Sequence, residues 1–180
     1  MNTAFETVTS ADGTTIAVER AGEGPPVILV GGAFNDRSTV AGLAAVLSAD
    51  FTAVTYDRRG RGASGDSATY AADREIDDLA AVISYAGGPA GVFGHSSGAV
   101  LALEAAARGL DITKVAAYEP TYVIEGTRPR PGDDLAGRLR ALLDQGDRDG
   151  AVALFQAEVV GLPGEIIAGM RGSPMWARRR

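Results

Sequence analysis

Short apolar runs alternate along the chain with segments whose apolar residues recur at helical spacing. Residues 27–30 are a continuous β-branched and aliphatic run, which is typical of a strand buried on both faces of a parallel sheet. Further strand-like runs cover residues 51–56, 89–93 and 112–118. Because strands and helices alternate, the pattern predicts a mostly parallel sheet with helices on both faces.

Between these runs, apolar residues recur every three or four positions, as on the buried face of a helix. Ser38 is the predicted cap of the first helix. Residues 87–88, two glycines, end the second. A third helix is expected over about residues 99–108, with Gly109 at its end. The apolar faces of the first two helices are formed by Val40, Leu43, Ala44 and Leu47, and by Ile76, Leu79, Ala80 and Ile83.

The two ends of the chain follow other patterns. Residues 5–9 and 14–20 flank an Ala-Asp-Gly turn signal and predict a hairpin that adds an antiparallel edge to the sheet. After the last predicted strand the alternation stops, and the Pro- and Gly-rich residues 127–132 are typical of a linker. We therefore predict an α/β core at residues 1–120 and a partial helical cap and tail at residues 121–180. Two amphipathic helices of the second part are carried by Leu135, Leu139, Leu142 and Leu143, and by Val152, Phe155 and Val159.

The amino-acid composition and the net charge argue against several classes of function. The 180 residues, 46% hydrophobic and 22% charged, fit a soluble globular protein. A net charge of −6 argues against nucleic acid as a partner. Cysteine is absent and there is one histidine, which disfavours a zinc site. We predict no metal and no cofactor. No signal peptide and no apolar run of ~20 residues is found, so no membrane contact and a cytoplasmic location are expected.

The most informative motif is the pentapeptide Gly-His-Ser-Ser-Gly at residues 94–98. A serine on a sharp turn from a strand to a helix is presented as a nucleophile, and flanking glycines let the two elements approach. We therefore interpret Ser96 as a candidate nucleophile and the N–H of Ser97, at the helix start, as a candidate oxyanion donor. The alternative is a chance match in a chain with 24 glycines, but the flanking strand and helix argue against it.

A Gly-Gly-Ala-Phe loop at residues 31–34 follows the first buried strand. A loop at this position can supply the second N–H that stabilises an oxyanion. Ala33 is the candidate donor, and Phe34 is the next candidate. A simple glycine-rich turn is the alternative interpretation.

The loop at residues 57–64 carries the sequence Asp-Arg-Arg-Gly-Arg-Gly-Ala-Ser. Its glycines match the spacing of a dinucleotide-binding fingerprint, but such a loop should come from the first strand and open directly into its helix. Here residues 66–70 intervene, so we reject a nucleotide site. Asp57 and Arg59 are instead predicted to tie this loop beside the rim of the active site.

Two further residues bear on this chemistry. Glu119 lies at the carboxyl end of the last predicted strand, where catalytic groups of open α/β sheets collect. It is a candidate acid for orienting a histidine, with a rim or cap contact as the alternative. His95 is next to Ser96, but neighbours on a sharp turn point in different directions, so a packed structural role is favoured. A serine hydroxyl is a poor nucleophile without a base, and no general base is identifiable.

Together these motifs resemble those of the α/β-hydrolase fold family, in particular small bacterial hydrolases of the esterase, epoxide-hydrolase and peroxidase-like branch. The resemblance implies eight strands, a cap inserted after the sixth, an acid after the seventh and a histidine after the eighth. We therefore expect a C-terminally truncated fold of about six strands that lacks the last two. Some members, such as certain haloalkane dehalogenases, carry the acid after the sixth strand, which keeps Glu119 a candidate. The resemblance spans residues 5–120 and rests on residues 31–34, 57–64, 94–98 and 118–120.

The predicted function is a serine hydrolase that acts on a small ester-like substrate through an acyl-serine intermediate. We expect it to be impaired or inactive, because losing a member of a serine triad costs roughly 10⁴–10⁶ in kcat. The alternative is a non-catalytic binding protein of the same fold. Without the last two strands, the strand near Val115 would be an open edge and could pair two copies into a homodimer.

Overall fold

The computed structural model describes residues 5–126, 130–173 and 176. They belong to two compact units, Met1–Tyr122 and Val123–Arg180. The strands, all in the first unit, are β1 (Glu6–Thr9), β2 (Thr15–Ala21), β3 (Pro26–Val30), β4 (Thr52–Tyr56), β5 (Ala90–His95) and β6 (Ile112–Tyr118). Its helices are α1 (Ala41–Leu47), α2 (Ala72–Tyr85) and α3 (Ser97–Ala107), with a 3₁₀ turn at Arg37–Val40.

The six strands form one sheet in the order β1-β2-β4-β3-β5-β6. The pairs β1–β2 and β2–β4 are antiparallel, and the pairs joining β4, β3, β5 and β6 are parallel. This confirms the mostly parallel sheet of about six strands and the antiparallel hairpin at its edge. The parallel strands end at the same side of the sheet, which brings the loops after β3, β5 and β6 together.

The continuous apolar sequence of β3 follows from its central place in the sheet. Ile28 and Val30 are fully buried in one cluster, which includes apolar residues of α2 and α3. Leu29, also fully buried, points into a second cluster with Val40 and Ala44. Successive side chains of a strand alternate between faces, so a strand covered on both faces needs apolar residues at every position.

The start of the first helix differs from the prediction. Ser38 does not cap it, because a 3₁₀ turn precedes α1 and Asp36 lies in the capping position. The Asp36 carboxylate accepts a hydrogen bond from the Ser38 N–H at 2.9 Å. The capping residue is therefore Asp36, two residues before Ser38, and the Ser38 N–H is the group that its side chain binds.

The second unit is helical in its described residues. It contains α4 (Leu135–Asp144), α5 (Arg148–Phe155), a π-helical turn at Gln156–Val160 and α6 (Gly164–Met170). Both predicted amphipathic helices are present, and the second continues into the π-helical turn. Within the predicted linker, residues 127–129 lie outside the described part of the chain. The buried apolar side chains of this unit are Leu135, Ala151, Val152, Ile167 and Trp176.

Candidate serine nucleophile site

Ser96 occupies the turn between β5 and α3, and its backbone is strained. Its φ of 56° and ψ of −121° lie in a region that residues with a side chain rarely adopt. The Ser96 N–H donates a hydrogen bond to the Tyr118 carbonyl of β6 at 2.9 Å, which helps to hold this conformation. Such strain persists only where the surroundings impose it, and it collects at functional sites.

The two glycines of the turn allow the close approach of strand and helix. A Cβ on Gly94 would lie 2.5 Å from the Cα of Ala99, at the start of α3. A Cβ on Gly98 would lie 2.5 Å from the carbonyl oxygen of Val30, at the end of β3. Any side chain at either position would push α3 away from the sheet, so these glycines set the position of Ser96.

The 31–34 loop lies against the serine. A Cβ on Gly32 would be 3.1 Å from the Cβ of Ser96. The Gly32 N–H is taken by the Asn35 Oδ1 at 2.9 Å, whereas the N–H groups of Ala33 and Ser97 have no acceptor among the described residues. One unpaired backbone N–H therefore directly follows Ser96, and a second belongs to the loop beside it; an oxyanion is stabilised by two such donors.

Strained backbone marks the same side of the sheet at three places. Phe34, Ser96 and Glu119 are the non-glycine residues with positive φ in the described part of the chain. Ser96 and Glu119 directly follow His95 and Tyr118, which face each other in the β5–β6 register. All three predicted site positions thus lie beyond the carboxyl ends of β3, β5 and β6.

The acid and base candidates are placed differently. Glu119 is exposed at the end of β6, one residue beyond the carbonyl that binds the Ser96 N–H. His95 is half-buried, and its ring lies 5.8 Å from the ring of Tyr118. The structure therefore places the 31–34 loop, which contains Ala33, beside Ser96 and Ser97, and places Glu119 on the neighbouring strand end.

Arg58 is a site residue that the sequence reasoning missed. Its side chain is 5% exposed and reaches from the end of β4 to the base of the serine turn. Its Nη1 donates to the Ser97 Oγ at 2.9 Å and to the Gly31 carbonyl at 3.2 Å. Its Nε and Nη2 donate to the two oxygens of Glu75, at 2.5 and 2.8 Å. Arginines directly after a buried strand, followed by an acid-rich helix, are the signal that could have indicated it.

The charges of Arg58 and Glu75 are maintained in spite of their burial. Burial lowers the pKa of the Arg58 guanidinium, but the hydrogen bonds and the charge of Glu75 outweigh this effect and raise it above its ordinary value. Burial likewise raises the pKa of Glu75, and the contacts with Arg58 outweigh it, so that the pKa of this carboxyl is lowered. The pair is ionised at neutral pH.

The predicted loop ties, Asp57 and Arg59, are confirmed by their contacts. Asp57 is fully buried and accepts hydrogen bonds from the Arg37 N–H at 2.7 Å and from the Arg37 guanidinium. Arg59 donates to both oxygens of Asp78 in α2, at 2.7 and 2.6 Å. These contacts fix the 57–64 loop to the 3₁₀ turn before α1 and to α2.

Away from the serine turn, the described residues hold few other features for chemistry. No group of three or more histidine, aspartate or glutamate side chains in that part of the chain could hold a metal ion. None of its helices is long and apolar enough to cross a membrane. A cleft between the end of α2 and the amino ends of β5 and β6 is lined by residues such as Ile83 and Leu110. The cleft lies at the amino ends of the strands, whereas Ser96 lies at the carboxyl end of β5.

Comparison with known proteins is consistent with this geometry. A model of the alpha/beta hydrolase family matches residues 16–180. No curated protein matches the sequence. The chain is 53% identical to an alpha/beta hydrolase from Sphaerobacter thermophilus, with a TM-score of 0.94 over 97% of this chain and 68% of that one.

Two more distant structures share the fold. A hydrolase from Pseudomonas aeruginosa is 18% identical, with a TM-score of 0.76 over 99% of this chain and 66% of that one. An esterase from a Rhodococcus species is 20% identical, with a TM-score of 0.67 over 97% of this chain and 68% of that one. The chain thus spans about two thirds of the length of each of these proteins.

Proposed function

Because the chain belongs to the alpha/beta hydrolase family, we propose that Ser96 attacks the carbonyl carbon of a small ester-like substrate and forms an acyl-serine intermediate. One observation carries the proposal: the strained Ser96 lies against the 31–34 loop, and the N–H groups of Ser97 and of Ala33 in that loop have no acceptor among the described residues. Strain at a nucleophile with oxyanion donors beside it is characteristic of acyl transfer at a nucleophile elbow.

In the proposed reaction, the Ser96 Oγ forms a bond to the carbonyl carbon while a base takes its proton. The carbonyl oxygen becomes negatively charged and accepts hydrogen bonds from the Ala33 and Ser97 N–H groups. Collapse of this tetrahedral intermediate expels the alcohol, which receives the proton. Water then attacks the acyl-serine by the same steps in reverse, which releases the acid and regenerates Ser96.

We further propose that the 180-residue chain turns over slowly, because the step that removes the serine proton lacks a base. The sequence contains one histidine, His95, and its ring packs near Tyr118. Loss of the base from a serine triad lowers kcat by roughly 10⁴–10⁶, and the oxyanion donors leave a residual rate. We therefore expect hydrolysis of p-nitrophenyl acetate by this chain to be close to that of Ser96→Ala.

Added imidazole provides a direct test of the nucleophile. Imidazole can supply the missing base, so it should increase hydrolysis of p-nitrophenyl acetate by the unaltered chain above the imidazole background. The background is measured with Ser96→Ala, and Ser84→Ala, an exposed serine of α2, is the matched control that should behave like the unaltered chain. Equal rates for the unaltered chain and Ser96→Ala at every imidazole concentration would contradict the proposal.

The same assay tests Glu119 as the orienting acid. A carboxylate that holds an imidazole in the right tautomer also stabilises the imidazolium that forms. If Glu119 has this role, Glu119→Gln should lower the imidazole-dependent rate of the chain without changing the rate of Ser96→Ala. Glu104→Gln, an exposed glutamate of α3, should leave the rate unchanged. An unaltered rate in Glu119→Gln would contradict this role and favour a contact of Glu119 at the rim of the site.

A second candidate function, association through the sheet edge, is supported by β6. Among the described residues this strand pairs only with β5, and most of its side chains are exposed, including Ala116 and Ala117. We propose that this edge pairs with a second copy, because an exposed strand edge is a template for another strand. Size-exclusion chromatography should then give a dimer that Ala116→Lys weakens and Ala45→Lys, on exposed α1, does not. A clean monomer at micromolar concentration would count against this function.

A further inference from the structure

We propose that Arg58 is a positioning residue that holds the two oxyanion-donor segments at a fixed spacing. This inference rests on the proposed function, because it assigns a role to a residue that does not itself touch the substrate. Arg58 belongs neither to the nucleophile motif nor to Asp57 and Arg59, the residues that fix the 57–64 loop.

The contacts of one nitrogen carry the inference. The Nη1 of Arg58 donates to the carbonyl of Gly31, two residues before Ala33, and to the hydroxyl of Ser97, whose own N–H is the other candidate donor. The two donor segments come from different strands and are far apart along the chain. Arg58 therefore links them directly, through a single planar group.

The guanidinium is itself held in place. Glu75 of α2 binds the opposite edge of the Arg58 fork with both of its oxygens, and the hydroxyl of Tyr70 donates to the Glu75 Oε1 at 2.9 Å. A bidentate arginine–carboxylate pair fixes both the distance and the plane of the guanidinium. The position of Nη1 is thus set by α2 rather than by the 31–34 loop that it supports.

The 31–34 loop needs such support. It begins with two glycines, which restrict the backbone less than any other residue. Its anchors near Ser96 include the Asn35 side chain on the Gly32 N–H and Arg58 on the Gly31 carbonyl. An oxyanion hole works only when both donors are aimed at the developing charge, so a displacement of about 1 Å costs a large part of the rate.

Arg59 provides a matched control. It is the next residue, is 4% exposed and makes a bidentate pair with Asp78 of the same helix. Its hydrogen bonds go to Asp12, Ser67, Asp78 and the Arg74 carbonyl, and none of these partners lies in the 31–34 loop or in the serine turn. Replacing either arginine by lysine breaks a buried bidentate pair, but only Arg58→Lys also removes the link between the donor segments.

The test compares a carbonyl ester with its thiocarbonyl analogue. p-Nitrophenyl acetate and the corresponding thionoester are hydrolysed with added imidazole, and the Ser96→Ala rate is subtracted. Sulfur accepts weaker hydrogen bonds than oxygen, so the oxygen-to-sulfur rate ratio reports on the oxyanion donors. Partial unfolding lowers both rates equally and leaves the ratio unchanged. We expect the ratio to fall by roughly ten-fold or more in Arg58→Lys, to fall in Ser97→Ala, and to be unchanged in Arg59→Lys.

A second measurement does not depend on turnover. Hydrogen–deuterium exchange should become faster in peptides covering residues 31–34 and 96–98 in Arg58→Lys, and should not change there in Arg59→Lys. If the unaltered chain shows no Ser96-dependent hydrolysis, the proposed function fails and exchange alone decides the inference. Unchanged exchange in both peptides of folded Arg58→Lys, an unchanged rate ratio, or equal changes in both lysine variants would overturn it.

Discussion

At Ser96 a strained backbone coincides with the proposed nucleophile. The strained φ and ψ angles of the serine are held by the bond from its N–H to Tyr118 and by the two glycines that bring α3 against the sheet. Backbone strain of this kind costs about 1–3 kcal/mol. The surrounding packing must supply this free energy in the folded state.

This strain predicts an inverted preference for glycine over alanine. Ser96→Gly should be more stable than Ser96→Ala by about 1 kcal/mol, because glycine adopts a positive φ without a steric penalty. At Ser84, in the last turn of α2, the order should reverse, since alanine is favoured over glycine in a helix by up to about 1 kcal/mol. Urea unfolding of the four variants gives the free energies of unfolding. A less stable glycine variant at both positions would show that Ser96 is not strained.

The sequence indicated the residues with a local signature and missed one that depends on distant contacts. Ser96 and the flanking glycines form a continuous motif, so the sharp turn between strand and helix could be predicted from spacing alone. Arg58 could not, because its partners Gly31, Glu75 and Ser97 lie 17 to 39 residues away. The apolar spacing of α2 also gave no sign that Glu75 is buried, since it marks only the face against the core.

Among the elements, the contact of α3 with β3 depends on the absence of a side chain at Gly98. The sequence predicted the bounds of β6 correctly, because an apolar run ended by Pro120 defines them. It placed the start of the first helix wrongly, because a 3₁₀ turn has nearly the same local pattern as an α-helical one. The motif predicted that Gly98 allows a close approach, but its partner, the Val30 carbonyl at the end of β3, follows from the fold and not from a local pattern.

The contact of α3 with β3 predicts opposite effects for two helical glycines. Gly98→Ala should lower the free energy of unfolding by about 1–3 kcal/mol or more, because its Cβ would overlap the Val30 carbonyl. Gly137→Ala, in α4, should raise it by up to about 1 kcal/mol, since no atom lies within 4 Å of the added Cβ. Denaturant unfolding followed by circular dichroism measures both. A Gly98→Ala variant as stable as the unaltered protein would contradict the packing described.

For the whole molecule, buried ion pairs make stability depend on pH. The carboxylates of Asp57, Glu75 and Asp78 are each at most 2% exposed, and each is paired with an arginine. A buried carboxylate with a lowered pKa contributes stability that is complete above its ordinary pKa and is lost as the pH falls through the folded-state pKa. The pKa of Glu75 is lowered by its contacts with Arg58, so acid should destabilise the first unit as this carboxylate is protonated.

Glu75 gives a quantitative form of this expectation. At pH 7, Glu75→Gln should lower the free energy of unfolding by about 3–5 kcal/mol, because it leaves the Arg58 charge without its partner. The difference from the unaltered protein should be constant above about pH 5. It should shrink as the pH falls below the ordinary glutamate value of about 4.3, since the lowered pKa of Glu75 is then approached. Urea titrations between pH 3 and 7 test this; a difference independent of pH would contradict it.

The hydrogen bond from the Ser96 N–H to the Tyr118 carbonyl joins the nucleophile to the last residue of β6. A strand that paired with the outer edge of β6 and shifted it would also shift Ser96. Linkage makes such an effect reciprocal, so acylation of Ser96 would change the affinity of the edge for its partner by the same factor. Through this one hydrogen bond, a partner bound at the edge of β6 could act as an effector of the reactivity of Ser96.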